Sequence, residues 1–469
     1  MGAAAGLFYS TDAEQETLNK RVRPSDNQLE RLRARKDDLV EHLKRDLRLR
    51  CGLAVSTWLQ GSYKLHTLIR PLSKQDYDVD VGVYFEWGHS SAIKLMAAEL
   101  RDELQQSLLD FATNDEYVKR VEDPAKDRCS RAYYEKHLHI DLPGYHYSTD
   151  TGETRLATLK GAWEVSDPEK MVDWFQDRLD GDERAQARRV VRYLKAWAAL
   201  RFQDDRDAQP SSLMLTVLAA DAFADEVQGL NVGDDEALKI VVEEVFDRLS
   251  ASSVVENPVE SDQDRNLNRL GDDEFARFMD ALERIRSIAR NALQADDEPD
   301  AAAIWTEAFD YLLPLPDVPG MAEADLAKGS MVLVAAPSVR VAVSAEKGGA
   351  PRQVFTNGQV ELAYRGEWLR FSVTNRHLLP MRAEVRWVVR NVGEDAYDEN
   401  DLGHSELDDG TFHDEYAEYH GRHFMDCEVR VNGRLYALTR IPVAITRTRM
   451  PLRHPPRRPA YTRLRGRRG

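Results

Sequence analysis

The stretch Tyr77-Asp78-Val79-Asp80-Val81-Gly82-Val83-Tyr84-Phe85 constrains this chain more than any other. Side chains alternate across a strand, so Asp76, Asp78 and Asp80 share one face while Val79, Val81, Val83 and Phe85 take the other. The apolar face demands a packed core beneath it. The acidic face has to be solvated, paired or metal-bound. Such a strand predicts a sheet with one covered face and one working face.

Just upstream, Leu53 to Gln60 reads as a short strand feeding Gly61-Ser62. Glycine lets a backbone approach phosphate closely, and a serine adds a hydroxyl donor at the start of the next element. A third carboxylate lies in Leu138-His139-Ile140-Asp141-Leu142-Pro143, where Asp141 and His139 oppose Leu138, Ile140 and Leu142. Singly, Gly-Ser is a turn and D-x-D a solvated strand face. In this order, with a further Asp on a later apolar strand, they point to metal-dependent phosphoryl transfer. Ions in such sites stand roughly 4 Å apart and clamp the attacking and leaving oxygens. Carboxylates suit hard cations, so two Mg²⁺ ions are the expected cofactors, with Mn²⁺ as a substitute.

The residues also carry a family resemblance. Gln60-Gly61-Ser62-Tyr63 and Tyr77 through Tyr84 resemble the cGAS/DncV-like nucleotidyltransferases of bacterial anti-phage (CBASS) signalling, and Leu138 through Tyr145 is similar to their third-aspartate strand. Trp163 through Glu169 with Trp174-Phe175, Arg189 through Trp197, and Pro210-Ser211-Ser212-Leu213 follow in family order. The resemblance implies a polymerase β-like core with a helical second lobe, joining nucleoside triphosphates (ATP among them) into a cyclic oligonucleotide that switches on an effector protein. It implies metal binding and catalysis by Asp78, Asp80 and Asp141, with Asp141 also helping to deprotonate the attacking hydroxyl. It places Gln60, Gly61 and Ser62 at the nucleotide, the latter two on the β- and γ-phosphates. Lys195 and Ser212 resemble second-lobe residues that reach the triphosphate.

Composition bounds the rest. A chain of 469 residues predicts two to four domains. No apolar run approaches the roughly 20 residues that cross a bilayer, and Met1 to Ser10 lacks a charged-then-apolar export signal, so a cytoplasmic protein without membrane contact is expected. The 3 cysteines, Cys51, Cys129 and Cys427, are widely spaced and predict no disulfide framework. Cys129, His137 and His139 raise a zinc site but lack a compact fourth ligand. The net charge of −17 argues against broad nucleic-acid affinity, and no basic surface is evident outside the C-terminal tail, which holds nine arginines and no acidic residue from Thr446 onward.

The expected fold class is α+β, in four parts. Residues 1–165 form the nucleotidyltransferase core, opened by an amphipathic helix across Pro24 to Arg48, and residues 166–315 form a helical lobe ending in an acidic connector, Gln294 to Ala303. Residues 330–446 alternate as strands punctuated by Gly and Asn, and 447–469 is a disordered basic tail. Phe371 to Asn375, Val385 to Gly393 and Tyr419 to His423 resemble the AGS-C sensor domain that accompanies this family. That resemblance implies a sensor ligand, for which Trp387, His420 and His423 are candidate contacts, with a plain capping β-sandwich as the alternative. The terminal Gly469 permits conjugation, and the tail permits nucleic-acid contact. Two other functions stay open: a nucleotide-binding sensor with a silent core, and a nucleotidyltransferase acting on an RNA, protein or small-molecule acceptor.

Overall fold

The computed structural model describes residues 2–72, 76–135, 137–259, 265–316, 336–407, 412–431 and 434–446. The expected strand at 331–335, the basic tail at 447–469 and Gly469 lie outside the described residues. The chain forms two compact units, Met1–Gly320 with Tyr397–Gly403, and Met321–Ala396 with His404–Gly469.

The first unit opens with two short helices, α1 (Ala5–Phe8) and α2 (Leu18–Val22), and the long α3 (Asp26–Cys51). The sequence dictates both ends of α3. Ser25 and Gln28 form a reciprocal capping box at its start, and Gly52, at φ +66°, closes it. Then follow β1 (Ala54–Leu59), α4 (Gly61–Lys64), β2 (Tyr77–Trp87), α5 (Ala97–Asn114), β3 (Val118–Val121), β4 (Ser130–Tyr134), β5 (Leu138–Leu142), β6 (Gly144–Ser148), β7 (Thr154–Ala157) and β8 (Trp163–Val165).

These strands make one sheet around β2. β1 pairs antiparallel along one stretch of β2, while β5 and then β6 run parallel to it in a continuous register across Pro143. Proline cannot donate to the ladder, yet its carbonyl accepts from the Val83 amide at 2.9 Å, so the pairing bridges the break. Beneath the sheet, Leu32, Leu39, Leu43 and Leu47 of α3 and Leu100, Leu104 and Leu108 of α5 pack on Val79, Val81, Val83, Phe85, Ile140 and Leu142. Each such leucine contributes about 1.5–3 kcal/mol through burial. The carboxylate face of β2 is thereby turned away from the two helices, as its alternation predicts.

Helices α6 (Pro168–Arg178), α7 (Gly181–Arg201), α8 (Ser212–Glu226), α9 (Asp234–Ala251), α10 (Asp272–Leu293) and α11 (Glu298–Phe309) complete the unit. The acidic connector expected at 294–303 is a correction, because α11 occupies most of it. Asp297 caps that helix, and Ala301, Ala302 and Ala303 are buried, so small side chains permit close packing where no large ones exist. The N-terminal residues join this helical group. Phe8 stacks edge-on to Tyr193, Trp305 and Phe309 at centroid distances of 5.4, 5.0 and 5.8 Å, and its carbonyl accepts from the Tyr193 hydroxyl.

Within the same unit, Tyr397–Gly403 packs on the N-terminal helices and β2. Arg70 is fully buried and donates to the carbonyls of Arg21, Arg23 and Tyr397 at 3.1, 3.0 and 2.7 Å. Asn400 accepts through Oδ1 from Gln28 Nε2 at 2.7 Å and from the Tyr77 hydroxyl at 3.0 Å.

The second unit is a two-sheet β-structure. It contains β9 (Val339–Ser344), β10 (Gln353–Phe355), β11 (Val360–Tyr364), β12 (Trp368–Val373), β13 (Glu384–Arg390), a turn of helix α12 (Glu394–Asp398) leading out of it, β14 (Gly403–Leu407), β15 (His413–Tyr416), β16 (Gly421–Val431) and β17 (Arg434–Thr446). One sheet has the order β10-β9-β12-β15 and the other β11-β17-β16-β13-β14. β9 begins with the alternation read in the sequence, whereas β13 ends in four consecutive buried residues, Trp387 to Arg390. β16 does not alternate cleanly, because Asp426, Glu428 and Arg430 are buried and paired: Asp426 with Arg390 and Arg440, Glu428 with Arg386 and Arg430.

Two of the candidate sensor contacts are corrected by burial. Trp387 is 1 % exposed in the core of this unit, packed on Phe371. His423 is 4 % exposed and faces the Tyr419 carbonyl at 3.1 Å. Only His420 of the three stands exposed.

Candidate active site

The register of β2 and β5 assembles the acidic face. Asp78 lies opposite His139 and Asp80 opposite Asp141 on these parallel neighbours. Ligand atoms of Asp78, His139 and Asp141 all fall within 4.8 Å of one another. Asp80 completes the group from the next rung, close enough that the charges of Asp78 and Asp141 act on it.

Gly61 explains the turn. Its φ is +59°, and a Cβ placed there would lie 2.4 Å from Asp80 Oδ2, so only glycine lets the turn close over this carboxylate. Ser62 follows within α4, and its carbonyl accepts from the Thr67 amide at 2.9 Å. Gln60 has a different place from the one expected. Its buried amide donates to the Tyr84 hydroxyl at 2.9 Å and accepts from the Tyr145 hydroxyl at 3.3 Å, while the two rings stack at 4.9 Å. Its side chain is a prop for the turn, and its backbone amide donates to the Asp80 carbonyl at 3.0 Å.

Arg131 was not singled out by sequence reasoning. On β4 it sits directly opposite Asp141, grips both carboxylate oxygens through Nε and Nη2, and lies 3.9 Å from Asp78 Oδ1. Burial works to lower its pKa, but the Asp141 pair outweighs this and raises it. An alternating Ser130-to-Tyr134 strand carried the signal, yet nothing local says which partner faces position 131. Arg131 pairs a half-buried positive charge with the buried Asp141 carboxylate, so neither stands alone away from water.

His139 Nε2 bonds Asp78 Oδ1 at 2.9 Å. Burial would raise the Asp78 pKa, but this hydrogen bond, with the nearby Arg131 charge, holds it below its ordinary value. Asp80 moves the other way. Burial and the charges of Asp78 and Asp141 push its carboxyl up to about 8. The Cys129 thiol is pushed up to about 12 by burial and by Asp141, which it bonds at 3.4 Å.

Lys195 comes from α7. It is buried, donates to Thr67 Oγ1 at 3.2 Å, and burial together with Arg192 lowers its pKa to about 7. The Asp80 charge acts on it in the opposite sense, which places it within electrostatic reach of the carboxylates. Ser212 is exposed at the first position of α8, beside the Ser211 cap. The fold thus joins Gly61, Asp78, Asp80, Asp141 and Lys195, while Ser212 stands on a separate helix end.

Oxygen-rich donors around a buried, partly protonated carboxylate fit a hard divalent cation. Cation binding has to displace the Asp80 proton. Mg²⁺ affinity is therefore expected to rise roughly tenfold per pH unit on approaching about 8. Titration calorimetry between about pH 6 and 8 checks this, and a flat affinity contradicts it. In the cation-free protein the sign for stability is opposite. An acid whose pKa is raised by folding contributes stability at low pH, and that contribution fades as pH rises through about 8.

The fold also gathers a basic surface that composition had hidden. Arg23, Arg33, Lys36, Arg188, Arg189 and Arg192 line a cavity of about 530 Å³ between α3, α7 and the turn that follows β1. These residues are scattered across 170 positions of a chain whose net charge is −17, so no window of sequence displays them together.

Residues 55–145 match the family profile "Cyclic GMP-AMP synthase DncV-like, nucleotidyltransferase domain". Residues 330–446 match "Adenylyl/Guanylyl and SMODS C-terminal sensor domain". The chain is 28% identical over 445 residues to a cyclic GMP-AMP synthase of Escherichia albertii, covering 94% of this chain and 95% of that protein. It is 24% identical over 352 residues to a probable cyclic AMP-AMP-GMP nucleotide synthase of Salmonella paratyphi B, covering 64% and 91%. Vibrio cholerae DncV, solved with the linear intermediate 5′ pppA(3′,5′)pG, superposes with a TM-score of 0.55 at 21% identity, over 67% of this chain and 96% of that one.

Proposed function

We propose that this chain, whose residues 55–145 and 330–446 match the DncV-like nucleotidyltransferase and AGS-C profiles, condenses nucleoside triphosphates into a cyclic oligonucleotide messenger for anti-phage signalling. The observation that carries the reading is the rung-by-rung pairing of Asp78 with His139 and Asp80 with Asp141, closed over by Gly61. A silent sensor core gains no support from a complete acidic face.

Asp78, Asp80 and Asp141 would hold two Mg²⁺ ions, or Mn²⁺ in their place. Such ions neutralise the triphosphate and make an attacking ribose hydroxyl more acidic. The chain's own residues do the positioning. Gly61 leaves room for phosphate to approach the backbone, and Ser62 presents a hydroxyl at the same turn. Lys195 gains its proton when a triphosphate adds negative charge nearby, since burial holds its pKa at only about 7 without one. His139 orients Asp78, and Arg131 holds in place the Asp141 carboxylate, which would take the proton of the attacking hydroxyl. The hydroxyl oxygen of one nucleotide attacks the α-phosphorus of the next. Its proton is lost, pyrophosphate departs, and a second attack closes the ring. Catalysis of this sort is mainly positioning and charge neutralisation.

The AGS-C domain would bind an activating ligand, and the product would act on a separate effector protein. Incubation with all four ribonucleoside triphosphates and Mg²⁺ or Mn²⁺, followed by phosphatase and mass spectrometry, is expected to yield a phosphatase-resistant cyclic species. Transfer to an added RNA or protein instead, with no cyclic product, overturns the reading.

A further inference from the structure

A second group of ligand-type side chains lies in the C-terminal unit, far in sequence from the acidic face. His404 on β14 and His413 and Glu415 on β15 place their ligand atoms within 4.8 Å of one another. Glu415 Oε2 is 3.3 Å from His404 Nε2 and 3.1 Å from His413 Nε2. Four ligands at zinc-like bond lengths, about 2.0–2.1 Å, define a tetrahedron with edges of about 3.3 Å. Both separations come close to that edge.

The backbone makes the arrangement possible. His413 and Glu415 are two apart on one strand, so they share a face, while Asp414 points the other way and pairs with Arg370. β15 is the edge strand of one sheet and β14 the edge strand of the other, so the group spans the two sheets. Burial grades across it, with the His413 side chain 7 % exposed, Glu415 26 % and His404 43 %. That leaves an open side for a fourth, exchangeable ligand.

The surroundings fit a metal too. His413 turns its other nitrogen, Nδ1, toward Glu406 Oε2 at 3.6 Å, so a carboxylate stands on the side of the ring away from Glu415. Trp387 stacks against the His413 ring at 6.2 Å and restricts its rotation. Two imidazoles and one carboxylate are the donors of open zinc sites, and they disfavour Mg²⁺ or Ca²⁺.

We propose that His404, His413 and Glu415 form a Zn²⁺ site that pins β14 to β15, with a solvent-accessible fourth position. The site is independent of the catalytic cations, which need hard oxygen donors. Its role in the fold is a cross-link between two sheet edges.

The test uses the full chain, stripped with a chelator and titrated with Co²⁺ alone. Tetrahedral Co²⁺ absorbs strongly in the visible, unlike Co²⁺ in an octahedral oxygen site. The expected result is a stoichiometric visible band, bleached by Zn²⁺ and retained in an Asp78→Asn protein. His404→Ala is expected to abolish the band; because the side chain is partly exposed, that variant should fold. Absence of the band in the unmodified chain, or an undiminished band in both His404→Ala and Glu415→Gln, overturns the proposal. In that case Glu415 merely accepts hydrogen bonds from two histidines.

Discussion

Asp78→Asn combined with Asp80→Asn is expected to reduce turnover by at least about 10³-fold, corresponding to several kcal/mol of lost charge stabilisation, without unfolding the protein. The first half follows from the site, since these are two of the three carboxylates available to cations. The second half follows from the electrostatics. Asp80 already holds its proton up to about 8, so asparagine reproduces the neutral form in the same space. Asp78 is 54 % exposed and supports no part of the core. Product formation measured beside thermal unfolding of the double variant separates the two effects. Activity within about tenfold of the parent removes these residues from the catalytic site.

The largest stability effect is expected at Arg70. Its guanidinium satisfies the carbonyls of Arg21, Arg23 and Tyr397, and lies over the Tyr397 ring at 5.0 Å. Burial lowers its pKa, so the charge is held against a cost by those three acceptors. Arg70→Met fills much of the space but leaves one buried and two half-buried carbonyls without their donor, at up to about 1–3 kcal/mol each. Relief from burying the charge offsets part of this. A net loss of roughly 3–5 kcal/mol is expected, with hydrogen exchange accelerating first in Tyr397–Gly403. A variant within about 1 kcal/mol of the parent by denaturant unfolding contradicts this account of the segment.

Much of the catalytic sheet was legible in the sequence because its information is local. Alternation on β2 fixes which residues face the core, and Asp78 and Asp80 inherit the other face whatever lies beyond. The helical spacing of apolar residues across Pro24 to Arg48 made the first long helix readable in the same way. Misreadings occur where local pattern and environment part. Gln60 looked like a site residue, but two stacked tyrosines draw its amide inward. Trp387 and His423 looked like contacts, but the sheet that holds them turns both into the core. Residues 294–303 looked like a connector because burial there depends on alanines.

The sequence by itself determined that two strands would each present aspartate opposite an apolar face, with a glycine turn beside them, since strand and turn geometry are short-range. Tertiary structure alone decided that Arg131 clamps Asp141, that scattered arginines converge on one cavity, that His404 meets His413 and Glu415 across two sheet edges, and that Tyr397–Gly403 packs with Arg70 and Tyr77. Each of these pairs residues distant along the chain or on separate strands. Their meeting depends on register and packing, which a sequence pattern with a period of two or 3.6 residues does not encode.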